Sequence, residues 1–187
     1  MIKAIITDFD GTLVDTFKAN LRAYQDAFYK VGLTLTAERY RECFGYRFDK
    51  FMQVMAVDNE RIASQIKEYK KEAYPKYFEH LVPNNKLMEL ITTFHQMGGK
   101  TAIASTAHKE NLMNAVNYLG IASHFDLIYA GVDVKLGKPS PEIYLKTMEE
   151  LGVEPCEVMI FEDSPVGFQA ARASGAEYIP VTDNWFV

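Results

Sequence analysis

The sequence predicts a doubly wound α/β sheet of parallel strands that carries an inserted α-helical cap. Short apolar runs alternate with helical segments along most of the chain, and one long stretch of helical periodicity interrupts this rhythm. Apolar runs without strict alternation are typical of strands that are covered on both faces, as in parallel sheets. Strands that alternate with helices form βαβ units with right-handed crossovers. With 187 residues, 48% of them hydrophobic, the chain can bury a sizeable core.

Five apolar runs are the candidate strands of this sheet. The first lies in the amino-terminal segment MIKAIITDFDG, immediately before Asp8. The other four are rich in Ile, Val, Ala and aromatic residues, and they span residues 100–105, 126–131, 157–163 and 177–181. We expect all five to be buried strands.

Glycine and serine–proline pairs mark helices between these strands. Two Ser-Pro pairs open helices that end at later glycines, and these helices span residues 140–152 and 164–175. A third helix, residues 109–119, ends at Gly120. The sheet therefore has helical crossovers of the length that βαβ units require.

Residues 16–81 are the predicted cap, because they show helical periodicity, many tyrosines and charges, and no convincing strand. The helices predicted in it are 17–31, 36–44 and 58–77. Residues 1–15 and 82–187 are then the core that holds the sheet. Two short hinges near Asp15 and Val82 connect the parts, and such hinges permit opening and closing.

Composition excludes several classes of function. The net charge of -5 and the lack of a basic cluster argue against nucleic acid as the main partner. Cys43 and Cys156 form no CxxC pair, which argues against a zinc site or a disulfide scaffold. No apolar run approaches the roughly 20 residues that cross a bilayer, and the first is too short for a signal peptide. We expect a cytoplasmic protein with no membrane partner, whose oligomeric state, monomer or dimer, the sequence does not decide.

The segment DFDGT follows the first predicted strand and places Asp8 and Asp10 two residues apart. Two such carboxylates repel each other unless a cation or a proton offsets their charge. Magnesium, which prefers oxygen ligands, supplies that offset. Taken alone, however, the pair is equally consistent with a solvated turn.

Further polar residues stand where other strands end or in the loops beside them. Ser105 ends the second run, Lys138 lies in the segment GKPSP, and Glu162 and Asp163 end the fourth run. Each has a structural alternative: Lys138 as a turn residue, and Ser105 and Asp163 as helix caps. Because doubly wound sheets bind ligands at the carboxyl ends of their strands, the coincidence of all four favours a functional site.

The segments DFDGT, IAST, GKPSPEIY and FEDSPVGFQAARASGA resemble, in this order, the four motifs of haloacid dehalogenase-like hydrolases. The resemblance spans nearly the whole chain. It is strongest to the phosphoglycolate phosphatase and beta-phosphoglucomutase-like subgroup, whose helical cap lies between the first and second motifs. It implies a Rossmann-like core and magnesium-dependent phosphoryl transfer.

The resemblance also implies roles for the acidic residues. Asp8 resembles the nucleophile that becomes an aspartyl phosphate, which divides a hard hydrolysis into two easier steps. Asp10 resembles the general acid and base, and its backbone carbonyl resembles a magnesium ligand. Asp8 and Asp163 match metal-binding carboxylates, and Glu162 is expected to bind magnesium directly or through water.

Four other residues are expected to contact the substrate. Ser105, with the backbone amide of Thr106 at the start of the following helix, resembles the group that orients the phosphoryl group. Lys138 resembles the cation that balances the phosphate and the nucleophile. The segment FGYRFDK resembles the substrate-specificity loop of the family and makes Arg47 a candidate substrate contact. The histidines show no metal-ligand spacing, and of these His108 alone lies close to a motif.

The implied function is a phosphatase of a small phosphorylated metabolite, of the sugar phosphate or phosphoglycolate class, whose cap closes to exclude water. The alternative is a beta-phosphoglucomutase-like sugar phosphomutase, although Asn20 replaces a histidine that those mutases usually carry. A catalytically silent binding module is a third hypothesis, and the intact motif residues argue against it. Asp10 argues against a dehalogenase, which lacks the second carboxylate. Neither the substrate nor the cap residues that contact it can be named from the sequence.

Overall fold

A computed structural model describes residues 1–186, and in it the chain divides into two compact units. One unit contains Met1–Asp15 together with the chain from Val82 onward. The other unit is Thr16–Leu81 and is helical. The sheet, and with it the predicted catalytic residues, belongs to the first unit.

Seven strands are present in the described residues, and five of them form one parallel sheet in the order β5-β4-β1-β6-β7. The strands are β1 (Ala4–Thr7), β2 (Val14–Asp15), β3 (Val82–Pro83), β4 (Lys100–Ala104), β5 (Leu127–Tyr129), β6 (Val158–Glu162) and β7 (Glu177–Pro180). The five sheet strands coincide with the five predicted apolar runs. Strands β2 and β3 pair antiparallel in a separate two-stranded ribbon.

Eight α-helices lie within residues 1–186, four in each unit. They are α1 (Phe17–Lys30), α2 (Ala37–Arg41), α3 (Phe48–Val54), α4 (Glu60–Ala73), α5 (Asn85–Gln96), α6 (Lys109–Tyr118), α7 (Glu142–Leu151) and α8 (Pro165–Ala173). None of the helices in this part of the chain has the length and apolar character needed to span a membrane.

The connectivity makes the sheet doubly wound. From the central strand β1 the chain proceeds outward to β4 and β5, then crosses β1 to form β6 and β7 on the other side. Because right-handed crossovers run in opposite directions on the two sides, α5 and α6 cover one face while α7 and α8 cover the other. The predicted α/β class with a parallel sheet and helices is confirmed.

Strand register brings the predicted chemistry to one edge of the sheet. Thr7 of β1 is level with Ile103 of β4 and with Phe161 of β6. All three strands run in the same direction, so the residues that follow these three emerge at the same edge. Strand register therefore brings Asp8, Glu162 and, one position further along the chain after β4, Ser105 to the same edge.

One core cluster buries the sheet face that α7 and α8 cover. It contains small residues of β1 and β4, such as Ala4 and Ala102, together with large side chains of α7, among them Ile143 and Met148. Dense packing of this kind holds a helix at one position on a sheet. The position of α7 matters below, because this helix contributes a polar group to the site.

The helical unit has a core of its own, built mainly from aromatic rings. Phe51 lies at its centre, with its ring centroid 4.9 Å from that of Tyr24, 5.6 Å from Tyr40 and 5.9 Å from Phe28. The first two contacts are edge-on, the arrangement that aromatic quadrupoles favour. Helix packing therefore explains these cap aromatics, as expected from their spacing.

Several elements differ from the sequence-based expectation. The helices α3 and α5 were not predicted, and α2 is shorter than residues 36–44. The last cap helix ends at Ala73, and a 3₁₀ helix, Tyr74–His80, follows it and contains Pro75. Proline at the start of a helical segment needs no hydrogen-bond acceptor, so the change of helix type occurs there.

Candidate active site

The carboxyl edge of the sheet collects the predicted site residues of the first unit. Asp8 directly follows β1, Ser105 directly follows β4, and Glu162 and Asp163 stand at the end of β6. Lys138 comes from the loop between β5 and α7 and reaches the same edge. All five lie at the position where doubly wound sheets bind ligands.

The DFDGT segment forms a tight turn that returns the chain to the sheet edge. The amide of Gly11 donates to the carbonyl of Val14 at 2.8 Å, and the Val14 amide donates to the carbonyl of Phe9 at 3.0 Å. Gly11 has a φ of 86°, a left-handed conformation that glycine adopts without strain. The turn directs the Thr12 hydroxyl to Asp163, to which it donates a 2.7 Å hydrogen bond. Asp10 lies within this turn and forms a β-bridge with Val14.

Lys138 forms a buried ion pair with two carboxylates. Its Nζ lies 2.6 Å from Oδ1 of Asp8 and also contacts Oε1 of Glu162. Only 2% of the Lys138 side chain is exposed. Burial lowers the pKa of Lys138, but attraction to Asp8 and Glu162 outweighs it, so the pKa is raised well above its ordinary value. The lysine is therefore a fixed positive charge next to the proposed nucleophile.

Glu162 is fully buried and hydrogen-bonded through both oxygens. Oε2 accepts from the amides of Asp163 and Ser164, at 3.0 and 3.2 Å, and from the Ser164 hydroxyl at 3.2 Å. Oε1 accepts from the Tyr144 hydroxyl at 2.8 Å and from Lys138. Burial raises the pKa of Glu162, but Lys138 and these hydrogen bonds outweigh burial and lower it. Both Glu162 oxygens thus accept from protein donors, and the role of Glu162 as a magnesium ligand stays a prediction.

Tyr144 is a site residue that the sequence analysis missed, although it lies in the quoted segment GKPSPEIY. It is fully buried on α7 between apolar neighbours. The sequence contained an indication of this role. A tyrosine on the apolar face of a helix becomes buried, and its hydroxyl then needs a hydrogen-bond partner. Periodicity identifies such a residue but not its partner, which here is Glu162.

The acidic residues of the site carry more charge than the lysine offsets. Carboxylate oxygens of Asp8, Glu162 and Asp163 lie within 4.8 Å of one another. Burial, opposed by Lys138 and reinforced by the neighbouring carboxylates, raises the pKa of Asp8 well above its usual range. Burial and the charge of Glu162 raise the pKa of Asp163 to about 7, although the Thr12 hydrogen bond opposes them. Both carboxyls are thus destabilised in their charged form.

This cluster fits a divalent cation. Three carboxylates against one ammonium leave two negative charges in excess, which a divalent ion offsets. Asp8 uses Oδ1 for Lys138 and Asp163 uses Oδ1 for Thr12, so the Oδ2 atom of each remains for a metal. An all-oxygen donor set in a site of this charge suits a hard ion such as Mg²⁺.

The Ser105 hydroxyl is positioned to donate a hydrogen bond. Its side chain is 1% exposed, and its oxygen accepts from the Ala107 amide at 3.0 Å. The Ser105 amide donates to the Tyr129 carbonyl at 3.0 Å and continues the β4–β5 pairing. With one lone pair occupied by an amide, the hydroxyl hydrogen remains for a ligand oxygen.

The expected position of Thr106 at a helix start is wrong. Helix α6 begins at Lys109, so Thr106 precedes it by three residues, and His108 is the N-cap residue. The intervening turn forms because the Ala107 carbonyl accepts from the Gly131 amide at 3.0 Å. The Thr106 carbonyl comes so close to Gly131 that a side chain there would overlap it. Thr106 therefore lies in a turn that Gly131, just beyond β5, holds in place, rather than in the first turn of α6.

Arg47 belongs to the helical unit, whereas the residues gathered at the sheet edge belong to the other unit. It is the N-cap residue of α3, and its Nε lies 3.8 Å from Oδ1 of Asp49. The segment FGYRFDK is thus part loop and part helix. A contact between Arg47 and substrate stays a prediction.

Comparison with known proteins gives consistent matches. Residues 5–181 match the family described as haloacid dehalogenase-like hydrolase. A phosphorylated carbohydrates phosphatase of Thermotoga maritima is 29% identical over 182 residues, which cover 95% of this chain and 84% of the relative. The fructose-1-phosphate phosphatase YqaB of Escherichia coli is 26% identical over 180 residues, which cover 95% of each protein.

A solved structure extends the comparison to three dimensions. The structure of CbbY from Rhodobacter sphaeroides in complex with xylulose-(1,5)bisphosphate has a TM-score of 0.85 and 27% identity to this chain. The match covers 97% of this chain and 88% of that one. Together with the phosphatase names of the sequence relatives, it supports the predicted enzyme class, a phosphoric monoester hydrolase.

Proposed function

This chain belongs to the haloacid dehalogenase-like hydrolase family, and we propose that it is a magnesium-dependent phosphatase of a small phosphorylated sugar. The family resemblance predicted from the four motifs is thereby confirmed. One observation carries the proposal: the Asp8 carboxylate contacts a buried ammonium, that of Lys138, within a cluster of acidic groups. Phosphoryl transfer depends mainly on positioning and charge neutralisation, which this arrangement supplies.

The proposed reaction has two displacements at phosphorus. A carboxylate oxygen of Asp8 forms a bond to phosphorus, the bond to the sugar oxygen breaks, and Asp10 gives that oxygen a proton. Asp10 then takes a proton from water as the water oxygen bonds to phosphorus, and the bond between Asp8 and phosphorus breaks to release phosphate. Lys138 and the Ser105 hydroxyl hold the phosphoryl oxygens. Magnesium, held by Asp8, Asp163 and the Asp10 carbonyl, would neutralise phosphate charge.

The substrate class rests on the relatives. The names of two of them specify phosphorylated carbohydrates and fructose-1-phosphate, and the CbbY structure contains a sugar bisphosphate. These three ligands share a phosphate ester on a polyhydroxylated carbon chain. We therefore propose a sugar phosphate rather than phosphoglycolate as the substrate of this enzyme.

Phosphate release from a panel of sugar phosphates, measured with magnesium and with EDTA, tests the proposal. Asp8→Asn is expected to lower kcat on the order of a thousandfold or more, because it removes the nucleophile. Asp183→Asn, an exposed aspartate of the same unit, is the matched control and is expected to retain full activity. Release that persists in EDTA or in Asp8→Asn would contradict the mechanism.

The mutase alternative needs a separate arm of the same experiment. With beta-glucose 1-phosphate as substrate, a phosphatase yields glucose and phosphate, whereas a mutase yields glucose 6-phosphate without net phosphate release. Formation of glucose 6-phosphate would replace the proposed hydrolysis with isomerisation. No turnover of any sugar phosphate would overturn the proposed function.

A further inference from the structure

The Lys138 ammonium is buried between side chains that fix its position. A lysine ammonium is a compact charge with three donors on a flexible stem, so its position depends on the acceptors around it. Two carboxylate oxygens accept from it among the described residues, Oδ1 of Asp8 and Oε1 of Glu162, and the Tyr144 hydroxyl also interacts with it. If they stay in place, the ammonium keeps a defined position next to Asp8, where the phosphoryl group would bind.

Glu162 is held firmly on the side of α8. Its Oε2 is bound by the start of that helix, where the Ser164 hydroxyl donates to Glu162 while accepting from the Gly167 amide at 3.1 Å. Gly167 packs against the Glu162 carboxylate so closely that an added Cβ would overlap it. The carboxylate therefore has no room to move toward α8.

On its other side, Glu162 is held by Tyr144. The phenol donates to Oε1 at 2.8 Å, the same oxygen that Lys138 contacts, and the Lys138 Nζ lies 5.0 Å from the centre of the Tyr144 ring. The Tyr144 side chain is fully buried, and its neighbours on α7 are part of the core that packs against the sheet. The phenol is thus a rigid donor, attached to a different element from the one that carries Glu162.

We propose that Tyr144 is a positioning residue for the reaction, which acts through Glu162 to hold the Lys138 ammonium against Asp8. The inference rests on the proposed function, since the groups it positions are those of the phosphoryl transfer. Without the phenol, Lys138 is the one donor to Oε1 of Glu162 that remains among the described residues, so this oxygen loses the rigid partner that fixes it. The ammonium then loses its fixed direction toward Asp8 and the phosphoryl group.

Tyr144→Phe tests this proposal, because it removes the hydroxyl and keeps the ring. Loss of a hydrogen bond to a group that orients an active-site residue is expected to lower kcat about tenfold. KM is expected to change less than about twofold, since the phenol makes no contact that the substrate replaces. Tyr178→Phe is the matched control, because Tyr178 also packs on this core and its hydroxyl bonds to Arg172 at 2.9 Å. This control is expected to behave as wild type.

A double-mutant cycle separates positioning from packing. If Tyr144 acts through Glu162, Tyr144→Phe lowers kcat in the wild type but causes no further loss in a Glu162→Gln background. A role in core packing alone would give equal losses in both backgrounds. Wild-type kcat in Tyr144→Phe, or equal losses, would overturn the proposal.

A readout independent of turnover keeps this inference distinct from the proposed function. A buried ammonium exchanges its protons slowly, so its ¹H–¹⁵N signal is observable by NMR and is assigned by its absence in Lys138→Met. Tyr144→Phe is expected to shift or broaden this signal, and Tyr178→Phe to leave it in place. A shifted signal in a protein that hydrolyses no sugar phosphate would support the positioning and reject the function. An unchanged signal would reject the positioning, whatever the activity.

Discussion

Asp163 is the residue whose protonation most directly links the site to pH and metal. Its pKa rises from an ordinary 3.8 to about 7, because burial and Glu162 disfavour its charged form. The folded protein therefore binds this proton more tightly than the unfolded chain between these values. In the absence of metal, this proton therefore contributes to the free energy of unfolding. The contribution is expected to be complete below about pH 4 and to be lost as the pH rises through about 7. The raised pKa of Asp8 acts in the same direction.

Magnesium is expected to offset this loss of stability. At a free concentration of about 100 times its Kd, a ligand that binds the folded state alone adds about 2.7 kcal/mol to the free energy of unfolding. The gain at pH 8 should exceed that at pH 5, because protons compete with the metal for the carboxylates. Urea unfolding across pH, in EDTA and in magnesium, measures both effects.

Asp163→Asn is the control for this linkage. It is expected to flatten the pH dependence in EDTA and to abolish most of the stabilisation by magnesium, while the contribution of Asp8 remains. If the variant keeps the slope of the wild type, Asp163 does not titrate as described.

Among the secondary-structure elements, α5 supports the site through its N-cap residue Asn84. This side chain is fully buried, accepts from the Leu87 amide at 3.1 Å, and donates to the Thr12 carbonyl at 3.1 Å. Its backbone amide donates to the Leu13 carbonyl at 2.9 Å. One residue thus caps a helix and holds the turn whose Thr12 hydroxyl orients Asp163.

Asn84→Ala is expected to lower the free energy of unfolding by about 2–4 kcal/mol, from the lost cap and the unsatisfied Thr12 carbonyl. Asn59→Ala is the matched control, because Asn59 caps α4 through the Arg61 and Ile62 amides at an exposed position. That change removes a cap only and is expected to cost about 1 kcal/mol. Equal losses in urea denaturation would show that the Thr12 contact contributes nothing.

At the scale of the whole molecule, each of the two units has its own buried core. The chain leaves the sheet-containing unit after β2 and re-enters it at β3, where Val14 pairs with Pro83 and Asp15 with Val82. The exit and entry points are therefore adjacent across an antiparallel ribbon. A two-residue turn spans such a pair, and Asn-Gly is the preferred sequence.

Replacing residues 16–81 by Asn-Gly is expected to leave a folded sheet unit that unfolds cooperatively and is stabilised by magnesium. Size-exclusion chromatography, circular dichroism and urea unfolding check these outcomes. The shortened chain with Asp163→Asn is the control and should lose the stabilisation by metal. A chain that unfolds without a cooperative transition would show that the sheet unit depends on the helical unit.

Much of this architecture was predictable, because buried positions require apolar residues and these are visible in the sequence. Strands covered on both faces must be apolar throughout, and so the five runs were visible without a structure. Helix α5 was missed, although Asn84 precedes it and its apolar residues recur at helical spacing. The helix α3 was missed because the segment FGYRFDK was interpreted as a loop.

The sequence by itself determined the parallel α/β sheet and the group of chemical residues that gathers at its carboxyl edge. The tertiary structure alone decided which of these groups meet. Thr12 and Asp163 are 151 residues apart, and Tyr144 reaches Glu162 from another element. The physical reason is that periodicity reports whether a side chain is buried, whereas its partner depends on how two separately formed elements pack. The tertiary structure therefore decided that Glu162 holds the lysine, a role its position beside Asp163 did not reveal.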